Sequence, residues 1–266
     1  NEWFKSMLRR NPVSLRNGIG KTIKTYKNVY FSKNSMATHE RLTALYDAIK
    51  QKTDEQGLDP NEVAKVRDTF FTQFQGKWKA HPAFWKPTGL VFGFPFPKPL
   101  EEKFITLRAD ILANLGLQSD QYWLLPKSQL HTTIVSYSHY SGVGLDVVTL
   151  PELEMPMTRS LIADTEPIHI SYKGALLTNN GLLLAKGFVD NEDLFLLRGK
   201  LQKQIRGIAQ QEQSLVHVKL AQVLIGNVPY EITESTNRLF SSVDFGSNLF
   251  TEARDPRGNS LRFKNY

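Results

Sequence analysis

Two stretches of the chain carry side chains that could work on a phosphate. One is "LHTTIVSY", residues 130–137, and the other is "VHVKLAQV", residues 216–223. Each sets a histidine two places ahead of a polar side chain at the front of an apolar run: His131 with Thr133, and His217 with Lys219. Side chains alternate faces along a strand, so His131 shares a face with Thr133, and His217 with Lys219. If the two strands lie side by side, two imidazoles, a hydroxyl and an ammonium converge. Histidine titrates near neutral pH. One ring can take a proton from an attacking water or hydroxyl while the other protonates the leaving oxygen. Thr133 and Lys219 can then hold the phosphoryl oxygens. No metal and no cofactor is needed for this. Either histidine alone reads better as the edge of a buried strand. The pairing, 86 residues apart, gives them meaning.

The surrounding elements repeat the same order. The periodicity of "LEEKFITLRADILANLG" predicts an amphipathic helix closed by Gly116, and "QYWLLP" and "LHTTIVSY" read as strands. A short helix fits Met157–Ala163. "IHISYKGALLTNNGLLLAKGFV" carries two β-rich runs around Asn179–Asn180–Gly181, a hairpin signal. "NEDLFLLRGKLQKQIRGIAQ" predicts a second long helix, followed by the strand "SLVHVKLAQVLIG". Further on, "YEITESTNRLFSSV" reads as a helix and "FGSNLFTEARDPRGNSLRF" as a closing hairpin. Upstream, "THERLTALYDAIKQ" is helical. "LDPNEVAKVRDTFFTQFQGKW" reads as one helix capped by Asp59, with Pro60 in its first turn and Phe70, Phe71 and Phe74 on an apolar face. Helices mixed with tight hairpins point to an α+β fold with antiparallel sheets. "GLVFGF" and "GVGLD" lack the strand–loop–helix context of a phosphate loop, and no Gly–x–Ser–x–Gly elbow occurs.

Composition narrows the class. The 266 residues suffice for a sizeable core, and 41% hydrophobic with 22% charged residues is ordinary for a globular chain. No run of eighteen apolar residues predicts a membrane span. The absence of cysteine excludes disulfides, thiolate metal sites and a cysteine nucleophile, and fits a reducing compartment such as the cytoplasm. Charge is uneven. Residues 1–35 hold eight Lys or Arg against Glu2, and the other 231 residues carry 25 charges of each sign. The basic arm is suited to RNA, an anionic surface or an acidic partner, and it also has the character of a targeting remnant.

The two motifs and the order of elements around them resemble the two-histidine phosphoesterase superfamily, which includes RNA cyclic phosphodiesterases and RNA-ligase-like proteins. The resemblance runs from about residue 88 to 266, through "LLPKSQLHTTIVSY", "ISYKGALLTNNGLLLAKGF", "NEDLFLLRGKLQKQI", "SLVHVKLAQVL" and "FGSNLFTEARD". It implies two pseudo-symmetric lobes of antiparallel sheet, flanked by helices, with one motif from each lobe facing a central cleft. With the charge of the arm and the Pro- and Gly-rich stretch near residue 85, the chain divides into three expected regions: a basic arm (1–35), an added helical extension (36–85) and the bilobal domain (86–266). The implied activity is a metal-independent phosphodiesterase acting on a nucleotide or RNA end, at a 2′,3′-cyclic phosphate or a 2′–5′ linkage. In it His131 and His217 are the acid/base pair, and Thr133 and Lys219 the phosphate ligands. The chain departs from the family pattern at Lys219, where the family has Thr or Ser. A lysine binds phosphate as a point charge. It equally suits a silent nucleotide- or RNA-binding module that keeps the cleft. Its charge also lowers the affinity of His217 for a proton, which favours a base there.

Two further residues are candidates for substrate contact. His139 follows the first motif by eight residues, and Tyr172, on the first strand of the 168–188 hairpin, could stack on a base. His39 and His81 lie outside the resemblance. No histidine pair has metal-ligand spacing.

Overall fold

The computed structural model describes residues 38–81, 84, 88–137, 154–206, 208 and 214–265. The basic arm and His139 lie outside the described residues, so nothing structural attaches to either expectation.

Two helices open the described chain. Helix α1 (Thr38–Gln56) buries Leu42, Leu45 and Tyr46. Helix α2 (Pro60–Phe70) begins as its sequence dictates: the Asp59 carboxylate accepts from the amides of Asn61 and Glu62 at 2.9 and 3.2 Å. The helix expected to run on through Trp78 instead stops at Phe70. Strands β1 (Phe71–Phe74) and β2 (Lys77–Ala80) follow as an antiparallel hairpin. Gln75 and Gly76 both sit at positive φ, 50° and 72°. That geometry makes the two-residue turn that matches strand twist. The aromatic run "FFTQF" favours a pleated surface over a helix. The apolar stripe is therefore split: Phe71 is buried at 5% exposure while Phe74 is 53% exposed.

Strand β3 (Gly89–Gly93) leads into helix α3 (Lys98–Asn114), short strand β4 (Tyr122–Leu124), a 3₁₀ turn (Lys127–Gln129) and strand β5 (His131–Ser136). Helix α4 (Met155–Ala163) precedes the hairpin of β6 (Ile168–Leu177) and β7 (Leu182–Val189). At its turn Thr178 Oγ1 donates to Asn180 Oδ1 at 2.6 Å, and Gly181 takes φ 83°. Helix α5 (Asp193–Gln204), strand β8 (His217–Val223), helix α6 (Tyr230–Leu239) and strands β9 (Asp244–Phe250), β10 (Glu252–Arg254) and β11 (Ser260–Arg262) complete the order.

The fold is α+β. Among the described residues eight antiparallel strands follow the order β11-β10-β3-β5-β8-β7-β6-β9, and a ninth, β4, pairs with β8 off this path. Two lobes meet at β5 and β8, each lobe ending on the strand that begins with a histidine. The helices are exchanged between them. Helix α3, which precedes the first motif, packs on β8 and β9 of the second lobe; α5, which precedes the second motif, packs on β5 and α4. One continuous hydrophobic core runs through both lobes and takes in Leu42, Tyr46 and Val63 of the first two helices and Leu58 between them. Among the described residues no helix is long and apolar enough to cross a membrane.

Candidate active site

Strand alternation does what the two motifs require. On β5, Thr132 and Ile134 are fully buried while His131 and Thr133 are partly exposed. On β8, Val218 and Leu220 are fully buried while His217 and Lys219 are partly exposed. The strands run antiparallel with Thr132 opposite Val218. One step either way places His131 opposite Lys219 and Thr133 opposite His217. Directly opposed side chains have Cβ atoms about 5 Å apart and diagonal neighbours about 7–8 Å apart. The four residues singled out from sequence thus form one quadrilateral on one sheet face, with the imidazoles across a diagonal.

The two histidines are supported differently. His131 Nδ1 lies 2.7 Å from the carbonyl of Gln129. A carbonyl only accepts, so Nδ1 carries the proton and Nε2 of the neutral ring presents its lone pair. His217 Nδ1 is buried with no hydrogen-bond partner among the described residues. Burial pushes His131 down to about 4; the Gln129 carbonyl opposes the shift and the charge of Lys219 adds to it. Burial pushes His217 further, to about 3, with Lys219, Arg198 and His131 as like-charged neighbours. Both rings are therefore neutral at pH 7. The direction expected for His217 from its lysine neighbour holds, with burial as the larger cause.

Lys219 is held from outside the two motifs. Its Nζ donates to the carbonyl of Phe84 at 2.7 Å and sits 3.8 Å from the centre of the Phe84 ring. That ring belongs to an aromatic group with Phe70, Phe71 and Trp123. Burial lowers the ammonium to about 8, so it is mostly charged at neutral pH.

Tyr172 is not part of this group. Its ring is 0% exposed and packs edge-on to Phe96 and Phe104, and its hydroxyl is 2.7 Å from Thr132 Oγ1 on the buried face of β5. The expected stacking contact has no exposed ring to make it. A hairpin tyrosine carries the same β signal whether it faces core or cleft.

Two buried arginines were missed. Arg198 on α5 donates through Nε to Ile134 O at 2.8 Å and through Nη2 to Thr133 O and Leu215 O at 2.7 and 3.1 Å. Arg108 on α3 donates through Nη1 to Leu125 O at 2.6 Å and Leu220 O at 3.2 Å. A third residue, Tyr46 on α1, donates its hydroxyl to the carbonyl of Val216, directly before His217. The sequence did hold a signal for the arginines. Each is a charge inside its helix's apolar stripe, Arg108 among Phe104, Ile111 and Leu112, and Arg198 among Leu194, Leu197 and Leu201. A cation in such a place needs buried acceptors. Among the described residues no group of three or more His, Asp or Glu is placed to hold a metal ion.

No family model matches the chain, and no curated protein does. Among solved structures, the chain is similar to the crystal structure of TT0787 of Thermus thermophilus, with 18% identity and a TM-score of 0.40 over 67% of this chain and 100% of that one. A likeness so remote carries no weight for the site, which stands on its own residues.

Proposed function

We propose that the protein is a metal-independent phosphodiesterase of the two-histidine type, acting on a nucleotide or RNA-end phosphodiester. The observation that carries the reading is the antiparallel pairing of β5 and β8 at Thr132 and Val218, which sets His131, Thr133, His217 and Lys219 on one face. The substrate phosphate lies over the quadrilateral, its oxygens on the Thr133 hydroxyl and the Lys219 ammonium. His217, the ring with the weaker hold on a proton, takes one from the attacking water. The water oxygen bonds to phosphorus as the bond to the leaving sugar oxygen breaks. His131 gives its Nε2 proton to that oxygen, and the Gln129 carbonyl favours its imidazolium form. His131 must be charged to act as the acid, and an anionic phosphodiester beside the ring raises its affinity for a proton.

One observation favours a second reading, a module that binds nucleotide or RNA without turnover: the Lys219 ammonium is already engaged by Phe84. One experiment separates the two. Purified protein with EDTA is given 2′,3′-cyclic nucleotides and 2′–5′ and 3′–5′ dinucleotides. Turnover is expected, and His131→Ala and His217→Ala should each reduce it by roughly 10²–10⁴, the usual contribution of a proton-transfer group. Binding without turnover, indifferent to either substitution, would overturn the phosphodiesterase.

A further inference from the structure

Arg108 and Arg198 are related by the same internal duplication as the histidines. Arg108 lies 23 residues ahead of His131, and Arg198 lies 19 ahead of His217. Each sits on the helix preceding its own motif, and each helix packs against the strand of the other. The hydrogen bonds follow that crossing. Arg198 reaches the carbonyls two and three residues past His131, at Thr133 and Ile134, and also Leu215, two before His217. Arg108 reaches Leu220, three past His217, and Leu125 on the approach to β5. Each guanidinium thereby ties the strand of one motif to the lead-in of the other.

We propose that Arg108 and Arg198 are paired clasps across the lobe junction, and that Arg198 is the positioning residue that keeps His217 opposite Thr133. The strand junction needs such a device. Among the described residues one pair, Thr132 with Val218, registers β5 against β8, whereas β7 and β8 share five. A single pair leaves the relative slide of the two motifs weakly fixed. Arginine suits the task because its planar fork serves several acceptors in set directions, which a lysine cannot do. The clasp is also asymmetric in effect. Arg198 is among the charges that bear on His217, together with Lys219 and His131, and it is not among those that bear on His131. Lys186, opposite His217 on β7, turns its ammonium away to Ser241 O at 3.0 Å.

The catalytic consequence rests on the two-histidine reading, and the test separates the two claims. Histidine-labelled protein is titrated by NMR, and turnover of the same cyclic nucleotides and dinucleotides is measured. In Arg198→Met, the midpoint of His217 should rise while that of His131 stays. kcat should fall roughly ten- to a hundred-fold, as misplacement of a reacting group by about 1 Å does, with KM changing less. Arg198→Lys keeps the charge and loses the fork, so the His217 midpoint should stay low while kcat still falls. It also serves if the methionine variant does not fold. A folded Arg198→Met with His217 unmoved, or either variant with full kcat, would overturn the clasp. Wild-type protein that turns over none of these substrates would end the phosphodiesterase reading and leave the clasp to be judged on the midpoint alone.

Discussion

At the scale of single residues, Lys219 decides how the site responds to pH. Its ammonium is lowered to about 8 by burial, and the phosphate needs it charged. The proposed activity should therefore fall as pH rises through about 8, when Lys219 loses its proton. On the acid side both imidazoles are depressed, to about 4 and about 3, so the free enzyme keeps its base neutral far below the ordinary histidine value. A kcat/KM profile, which reports the free enzyme, should keep its base down to about 3, decline above about 4 as the His131 acid loses its proton, and steepen into an alkaline limb near 8. Lys219→Arg, charged throughout, should move that alkaline limb upward, and an unmoved limb would assign it elsewhere. The same shifts bear on stability. The folded state binds fewer protons than the unfolded chain between the folded values and about 6.5. Stability is therefore fully present above about 6.5 and declines as pH falls towards 4 and below. Replacing His217 with Asn should flatten that decline in a urea titration, since the substituted residue has no proton to gain.

At the scale of elements, the buried side of β5 matters as much as its exposed side. Thr132 Oγ1 and Tyr172 Oη are both in the core and 2.7 Å apart. Removing one hydroxyl strands the other in an apolar setting, at a cost of about 1–3 kcal/mol, whereas removing both is close to neutral. Tyr172→Phe and Thr132→Val should each be destabilising. The double variant should be less destabilised than their sum, a coupling readable in a double-mutant cycle. A strictly additive result would mean that the contact contributes nothing. Sequence legibility divides at this scale. The alternation of "HTTIVS" and "HVKLAQ" placed all four site side chains on their faces, because a strand's period is local and fixed. The end of α2 was not legible, because Phe70, Phe71 and Phe74 fit a helical stripe, and only the turn at Gln75–Gly76 overrides it. Tyr172 failed for a similar reason: local pattern does not say which face of a hairpin another element will cover.

At the scale of the whole molecule, the exchanged helices make each lobe depend on the other. Motif spacing and element order made two similar halves legible. The crossing of α3 and α5 was not, because it is set by which apolar face fits which sheet, a long-range property no window of sequence contains. Its mechanical consequence is testable. Phe104 belongs to α3, ahead of the first motif, yet its ring packs on Tyr172 of β6 and Phe245 of β9 in the second lobe. It is fully buried. Phe104→Ala removes a large core side chain, costing about 3–5 kcal/mol. For a chain of this size each kcal/mol moves Tm by about 2–4 °C. If the lobes unfolded separately, calorimetry would split into two transitions and only one would move. Because the core is continuous through both lobes and both guanidinium clasps cross the junction, one transition is expected in wild type. The same single transition should shift down by roughly 6–20 °C in Phe104→Ala. A second, unshifted transition would show that the two halves of the site are held together by β5 and β8 alone.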